Sequence, residues 1–241
     1  MNGHDLSLTP DFAPGADTRR TPITAPSPTA SPTEPGDARL WRTWAGWVTF
    51  GECVGFGVPA IAGAAAADLP TAALAGLLVA AGAVEGALLG CAQAHVLRWA
   101  LPTVNRVGWV TATAAGAAIA WMVGLLPMLT DGRFFQLPVL LVVPVTAALG
   151  AVLLCSIGFA QWLVLRRHVE GSSWWIASTA AAWTFGLIVF TAVATPLWQQ
   201  GQPVPLIAAI GLLGGVLMAG TVAVLTGLAI IRLRRQQSHR G

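Results

Sequence analysis

Charged residues are scarce in this chain. Of its 241 residues only 10% are Asp, Glu, Lys or Arg, whereas 55% are hydrophobic and the mean hydropathy is +0.69. A soluble domain carries about a quarter charged residues, because its surface must stay polar in water. The shortage of charge therefore excludes an ordinary soluble globular protein.

Lysine and tyrosine are absent altogether, so all 13 basic residues are arginine. Because lysine is missing, the chain cannot contain the glycine-rich phosphate loop that requires a lysine. The sequence also contains neither a His-Glu-x-x-His metal motif nor a Gly-x-Ser-x-Gly nucleophile turn. We therefore expect a protein that is not an enzyme and that uses no cofactor.

Cysteine and histidine are too few and too scattered for a disulfide framework or a metal site. Cys53, Cys91 and Cys155 are odd in number and lie inside apolar segments. His95 has no His or Cys partner at helical spacing, so we interpret it as an interfacial or packing residue.

What the chain does contain is six long apolar blocks. Each is near or above the ~20 residues that a helix needs to cross a bilayer. Breakers such as Pro70, Pro102 and Gly171 separate them. The predicted spans are Trp44–Ala66, Thr71–Val96, Val107–Leu129, Leu137–Leu165, Trp174–Thr195 and Val204–Ile231. We predict an all-α polytopic membrane protein.

The two ends of the chain differ from these blocks. Residues 1–40 include a stretch rich in Pro, Thr and Ser, which predicts a disordered cytoplasmic tail before a transmembrane domain of residues 41–233. Residues 234–241 form a short basic tail. We interpret its arginines as an anchor to lipid headgroups rather than a nucleic-acid site.

Arginine is distributed unevenly across the predicted spans. With six crossings, one side receives Arg39, Arg42, Arg98, Arg106, Arg166, Arg167, Arg232, Arg234 and Arg235. Among the arginines of the spans and their connections, Arg133 alone falls on the other side. Because cytoplasmic loops are enriched in arginine, we expect the plasma membrane as location and both termini in the cytoplasm.

The chain also resembles itself. Residues 90–98 read Gly-Cys-Ala-Gln-Ala-His-Val-Leu-Arg and residues 158–166 read Gly-Phe-Ala-Gln-Trp-Leu-Val-Leu-Arg. Similar sequences open the following spans at Trp109 and Trp175, and a weaker third copy starts at Gly227. Trp47-Val-Thr opens the first span as Trp109-Val-Thr opens the third. We predict three tandem helical hairpins related by an axis along the membrane normal.

The second copy extends to a longer pattern. It reads Gly158-Phe-Ala-Gln-Trp-Leu-Val-Leu-Arg-Arg and is followed by Trp174-Trp175-Ile-Ala-Ser and by Trp183. This pattern resembles blocks that recur in uncharacterised multi-pass bacterial membrane proteins, over roughly the second to fifth spans. The first copy departs from it, with Ala94 in place of a tryptophan. The resemblance implies the multi-pass architecture and no particular activity.

Glycine and glutamine share stripes on the second and fourth spans. The predicted helix-packing glycines recur at intervals of four or eight residues: Gly82, Gly86, Gly90, Gly150 and Gly158. In lipid, such a stripe lets helix backbones approach closely. Gln93 and Gln161 lie on the same stripes, where they either hydrogen-bond helices together or line a polar path.

Two carboxylates fall deep inside predicted spans. Glu52 and Glu85 each lie about 15–20 Å along a helix from its arginine-bearing end, on adjacent antiparallel spans. An ionised carboxylate in hydrocarbon is costly, so the pair either faces a wet cavity or stays protonated and hydrogen-bonded. If the two acids have only a structural role, we expect them to be neutral and to hydrogen-bond to each other or to Thr49, Gln93 or His95.

Three functions are compatible with these features. The sequence favours a non-enzymatic structural or accessory protein that contacts the lipid bilayer and assembles with itself or another membrane protein. The alternative is a small transporter or channel for protons, cations or a small solute, with Glu52 and Glu85 as coupling acids and with Gln93 and Gln161 along the path. An intramembrane enzyme using the two acids ranks third.

Overall fold

A computed structural model describes residues 36–238. Residues 1–35, where most of the predicted tail falls, and residues 239–241 lie outside the described residues. Within the described range every regular element is helical. The elements are α1 (Asp37–Ala65), α2 (Thr71–Ala100), α3 (Arg106–Gly124), the one-turn α4 (Leu126–Leu129), a 3₁₀ turn (Arg133–Gln136), α5 (Val139–Leu165), α6 (Trp174–Leu197) and α7 (Val204–Ser238).

Six of these helices are long and apolar enough to cross a membrane: α1, α2, α3, α5, α6 and α7. This confirms the predicted all-α architecture with six spans. The third predicted span is shorter than expected, because the helix breaks at Leu125 and α4 begins with Pro127 in its first turn. Proline has no amide hydrogen to donate and its ring collides with the preceding turn, which favours a break of α3 at this point.

The first and last helices extend past the predicted spans. Helix α1 begins at Asp37, inside the predicted tail, and α7 continues through the arginines to Ser238. The two extensions meet, since the carboxylate of Asp37 forms ion pairs with the guanidinium groups of Arg234 and Arg235. The closest distance between Asp37 and Arg235 is 2.6 Å.

The six long helices form a closed ring. Each packs against its neighbours in the chain, and α7 packs against α1. Neighbours are antiparallel, as shown along α1 and α2, where Gly51 faces Ala92 and Gly55 faces Glu85. Directions therefore alternate around the ring. As a result the start of α1 and the end of α7 lie at one end of the bundle.

The alternation also gathers the arginines. One end of the bundle, here called the arginine end, carries Arg39, Arg42, Arg98, Arg106, Arg166, Arg167, Arg232, Arg234 and Arg235. The other end, here called the opposite end, is formed by the connections at residues 66–70, 125–138 and 198–203. The half of the bundle next to the arginine end is the arginine half, and the remainder is the opposite half.

Burial against neighbouring helices is concentrated in the arginine half. The largest fully buried side chains all lie between the arginine end and the middle of the helices: Trp44, Trp109, Trp175, Leu40, Leu97, Leu101, Leu165, Ile230, Leu233, Gln161, Glu52 and Val48. In the opposite half, Leu140 is 88% exposed and Val204 is 78% exposed. Such apolar side chains suit contact with acyl chains.

Glycine sets the helix spacing at several points of the ring. A Cβ atom on Gly86 would lie 2.5 Å from the Cβ of Ala117, and one on Gly90 would lie 3.0 Å from the Cα of Val110. Gly82 accommodates the ring of Trp121, and Gly158 packs against α6. Gly150 differs, because nothing lies within 4 Å of the place where its Cβ would be. The N-terminal part of α5 has no buried residue, so Gly150 has no helix to pack against.

Candidate functional site

The two glutamines meet inside the arginine half. The side-chain amide of Gln161 donates from Nε2 to Oε1 of Gln93 over 2.8 Å and to the hydroxyl of Thr113 over 3.0 Å. Trp109 donates to Gln93 over 2.9 Å, and Trp175 donates to Gln161 over 3.0 Å. All five side chains are buried. The network thus ties together α2, α3, α5 and α6.

Local structure delivers the two tryptophans to this network. Asn105 caps α3 by accepting a hydrogen bond from the amide of Gly108, and Trp109 follows in the first turn. Gly171, with φ +67°, turns the connection that returns the chain to Trp175 at the start of α6. The rings of Trp109 and Trp175 then lie 5.8 Å apart. The side-chain amides of Gln93 and Gln161 are thus hydrogen-bonded to each other and to neighbouring helices.

A third buried tryptophan occupies the seam between α7 and α1. The indole of Trp44 donates to the hydroxyl of Thr226 over 3.0 Å.

The repeat alignment pairs Trp47 with Trp109, but Trp47 is 40% exposed and its ring lies 4.3 Å from that of His95. His95 is thus a packing residue at the arginine end. No group of three metal-ligating side chains occurs within residues 36–238.

Glu85 lies near the middle of α2 and is 6% exposed. Its Oε2 accepts a hydrogen bond of 2.8 Å from the indole of Trp121 on α3. A Cβ on Gly55 of α1 would lie only 3.1 Å from the Cγ of Glu85, so α1 covers the other side of this residue. The carboxyl group is therefore fixed by one donor and by a close helix contact.

Glu52 lies one turn away from Gly55, on the same α1–α2 interface. It is 1% exposed, and neither carboxyl oxygen has a hydrogen-bond partner among the described residues. None of the expected partners, Glu85, Thr49, Gln93 or His95, forms a hydrogen bond with it, and Gln93 bonds to Trp109 and Gln161 instead. The two acids share this interface, because Gly55, one turn from Glu52, contacts Glu85. Burial without a partner favours the uncharged form of Glu52.

Glu85 borders a cavity of about 270 Å³ in the middle of the bundle. Every one of the six long helices contributes to its wall. The lining residues are Phe56, Glu85, Ala117, Ala120, Trp121, Gly124, Leu125, Leu153, Ile157, Trp183, Leu187 and Met218. A mostly apolar hollow with one carboxyl group has the composition of a binding site for a small solute.

Sequence reasoning identified the carboxyl group of this cavity but missed its aromatic wall. Phe56, Trp121 and Trp183 were not predicted as site residues. A signal was present for Trp183, because it lies far inside α6, whereas tryptophan in membrane proteins favours the interface. Trp121 lies one turn before the end of α3, and Glu85 accepts a hydrogen bond from its indole.

The comparisons add no relative to this picture. No protein-family model, no curated protein and no solved structure matches this chain.

Proposed function

We propose that this membrane protein is a small proton-coupled transporter of a small solute. The observation that carries the proposal is the cavity bordered by all six spans, with Glu85 in its wall and Glu52 on the same helix interface. Sequence alone favoured an accessory role, but assembly with other proteins does not need a central hollow. A solute carrier does need one.

The two acids have different surroundings, which suits different roles. Glu85 reaches the cavity and is held by Trp121, so it is placed to bind the solute or a proton. Glu52 is enclosed, without a hydrogen-bond partner among the described residues, and lies one turn from Gly55, which contacts Glu85. A proton arriving at one carboxyl group would thus change the affinity of the other for a cation.

The plug of Gln93, Gln161, Thr113, Trp109 and Trp175 argues for a carrier rather than an open channel. It lies between the cavity and the arginine end, about 12 Å from Glu85 along α2. Passage toward the arginine end requires helices to move, as in alternating access. The wall of the cavity includes Leu125, in a connection of the opposite end, which supports the entry of solute from that side.

Orientation and internal repetition belong to the same proposal. We propose that the arginine end faces the cytoplasm, in the plasma membrane, because positive residues are retained on that side. We also propose that the three hairpins are repeats. Three buried tryptophans support this proposal: Trp44, Trp109 and Trp175. Each lies near the start of a helix that begins at the arginine end. Trp109 and Trp175 donate to the preceding helix, and Trp44 donates to α7.

Reconstitution tests the transporter. Purified protein is placed in liposomes containing a pH indicator, and proton flux is recorded after addition of sodium, potassium, small organic amines or small neutral solutes. We expect at least one solute to drive flux, and Glu85→Gln to lower it by about tenfold or more, since the coupling acid is lost. Glu52→Gln should also lower it.

Glu170→Gln provides the matched control, because Glu170 is exposed in the connection between α5 and α6. Its flux should equal that of the wild type. Undiminished flux in the Glu52→Gln/Glu85→Gln double variant would overturn the assignment of the acids. Absence of flux with every solute would overturn transport and return the accessory role to first place.

A further inference from the structure

The wall of the cavity has a chemical character that narrows its ligand. Among the described residues that border it, Glu85 is the one ionisable group, and Phe56, Trp121 and Trp183 are aromatic. The remaining lining side chains are aliphatic or methionine. The cavity therefore offers one carboxyl group and three aromatic rings.

This inventory excludes several kinds of ligand. Magnesium and calcium require six or more oxygen ligands, and one carboxylate does not supply them. Anions would be repelled by an ionised Glu85 and would find no donor dedicated to them. A neutral apolar molecule would leave the carboxyl group without a counter-charge.

A lipophilic organic cation satisfies every group. Its apolar substituents fit the aliphatic wall, and its charge is attracted both by the carboxylate and by the negative faces of the indole rings. Quaternary ammonium groups are recognised in this way by aromatic cages. The hydrogen bond from Trp121 to Oε2 of Glu85 fixes the carboxylate beside one of these rings.

We infer that the central cavity binds a small lipophilic ammonium cation between Glu85 and the rings of Trp121, Trp183 and Phe56. The inference deepens the proposed transport function by naming its substrate class. The volume of about 270 Å³ lies near the lower end for ligand pockets, so it suits one small molecule rather than a lipid.

A pair of isosteric probes isolates the contribution of charge. Phenyltrimethylammonium and tert-butylbenzene share shape and size and differ in the central atom, which is positively charged nitrogen or neutral carbon. Binding to the purified full chain in detergent is measured by calorimetry and by quenching of tryptophan fluorescence. We expect the wild type to bind the cation at least about tenfold more tightly than the hydrocarbon.

Variants assign the contributions. Glu85→Gln should lower cation affinity by about tenfold and leave tert-butylbenzene binding unchanged. Trp183→Leu should lower cation affinity by about three- to thirtyfold, whereas Trp183→Phe, which keeps an aromatic face, should lower it less. Retained binding of tert-butylbenzene and a single peak in size-exclusion chromatography show that each variant is folded.

Equal affinity of the wild type for the two probes would overturn the inference, as would equal cation affinity of Trp183→Leu and Trp183→Phe. The comparison of Trp183→Leu with Trp183→Phe tests the inference even if Glu85→Gln does not fold. Failure of the inference and failure of transport remain distinguishable. Glu85-dependent flux with sodium and no binding of phenyltrimethylammonium would contradict the ligand class alone, whereas binding without any flux would contradict transport alone.

Discussion

The two halves of the bundle are built on different principles. In the arginine half, three indoles and two glutamines are buried and hydrogen-bonded, and large aliphatic side chains fill the ring. In the opposite half the same six helices leave a cavity, and α5 has no buried residue before Ser156. Side chains fill the interior of the ring in the arginine half, whereas the opposite half contains a cavity.

The difference shows where a small membrane protein places its stability. Apolar burial cannot hold helices together in lipid, so polar pairs and close packing must do so. The buried network of glutamine and tryptophan lies in the arginine half, whereas close helix contacts at glycine occur along the whole ring. Regions that bind ligands or move are drawn from the less stable parts of a structure, and here they are the middle and the opposite half. Substitutions should therefore have unequal effects in the two halves.

The largest difference is expected for tryptophan. Trp175→Ala should lower the free energy of unfolding by about 3–5 kcal/mol, because it opens a cavity and leaves the amide of Gln161 without its donor. Trp198→Ala at the opposite end, where the ring is 55% exposed, should cost less than about 0.5 kcal/mol. Unfolding in mixed micelles measures both, and equal losses would remove the contrast between the halves.

Glycine offers a second, intermediate contrast. Gly86→Ala should destabilise the protein by about 1–3 kcal/mol, since the new methyl group would lie 2.5 Å from Ala117 and 2.8 Å from the carbonyl oxygen of Thr113. Gly150→Ala, in open space, should cause no loss and gain up to about 1 kcal/mol from helix propensity. The same unfolding assay applies. A loss at Gly150 as large as that at Gly86 would contradict the open packing of α5.

The smallest effect is expected at the ion pairs that join α1 to α7. Asp37→Asn should cost about 0.2–1 kcal/mol, because the side chain of Asp37 is 31% exposed and its pairing is screened by solvent. Added salt should reduce the wild-type stability toward that of the variant. Asp68→Asn at the opposite end is the control and should show no salt-dependent difference. A larger cost than that of Gly86→Ala would indicate that the seam, rather than the core, holds the ring.

Much of this arrangement follows from the sequence. The number of spans was readable from the length of the apolar blocks, and the depth of Glu52 and Glu85 from counting residues along each helix. The extent of α1 and α7 was not readable, because the pairing of Asp37 with Arg234 joins residues at opposite ends of the chain. The break before Pro127 had a local cause that the apolar composition obscured.

Which face of each helix points inward was harder to predict. Spans are apolar all round, so hydrophobic periodicity does not distinguish a face toward lipid from a face toward protein. Trp47 and Trp44 are one turn apart and equally apolar, yet Trp44 alone is enclosed. Gly150 belongs to the same kind of stripe as Gly86 but has no helix beside it. Ring closure between α1 and α7 decides the case of Trp44, and no local pattern encodes it.

The seam between α1 and α7 also imposes an order on biosynthesis. Helix α1 is inserted first, but the acceptors for the indoles of Trp41 and Trp44, the carbonyl oxygen of Val224 and the hydroxyl of Thr226, emerge from the ribosome with α7. Until then one flank of the nascent bundle remains open to lipid. A chain terminated before α7 would retain five spans yet leave both indoles without these acceptors.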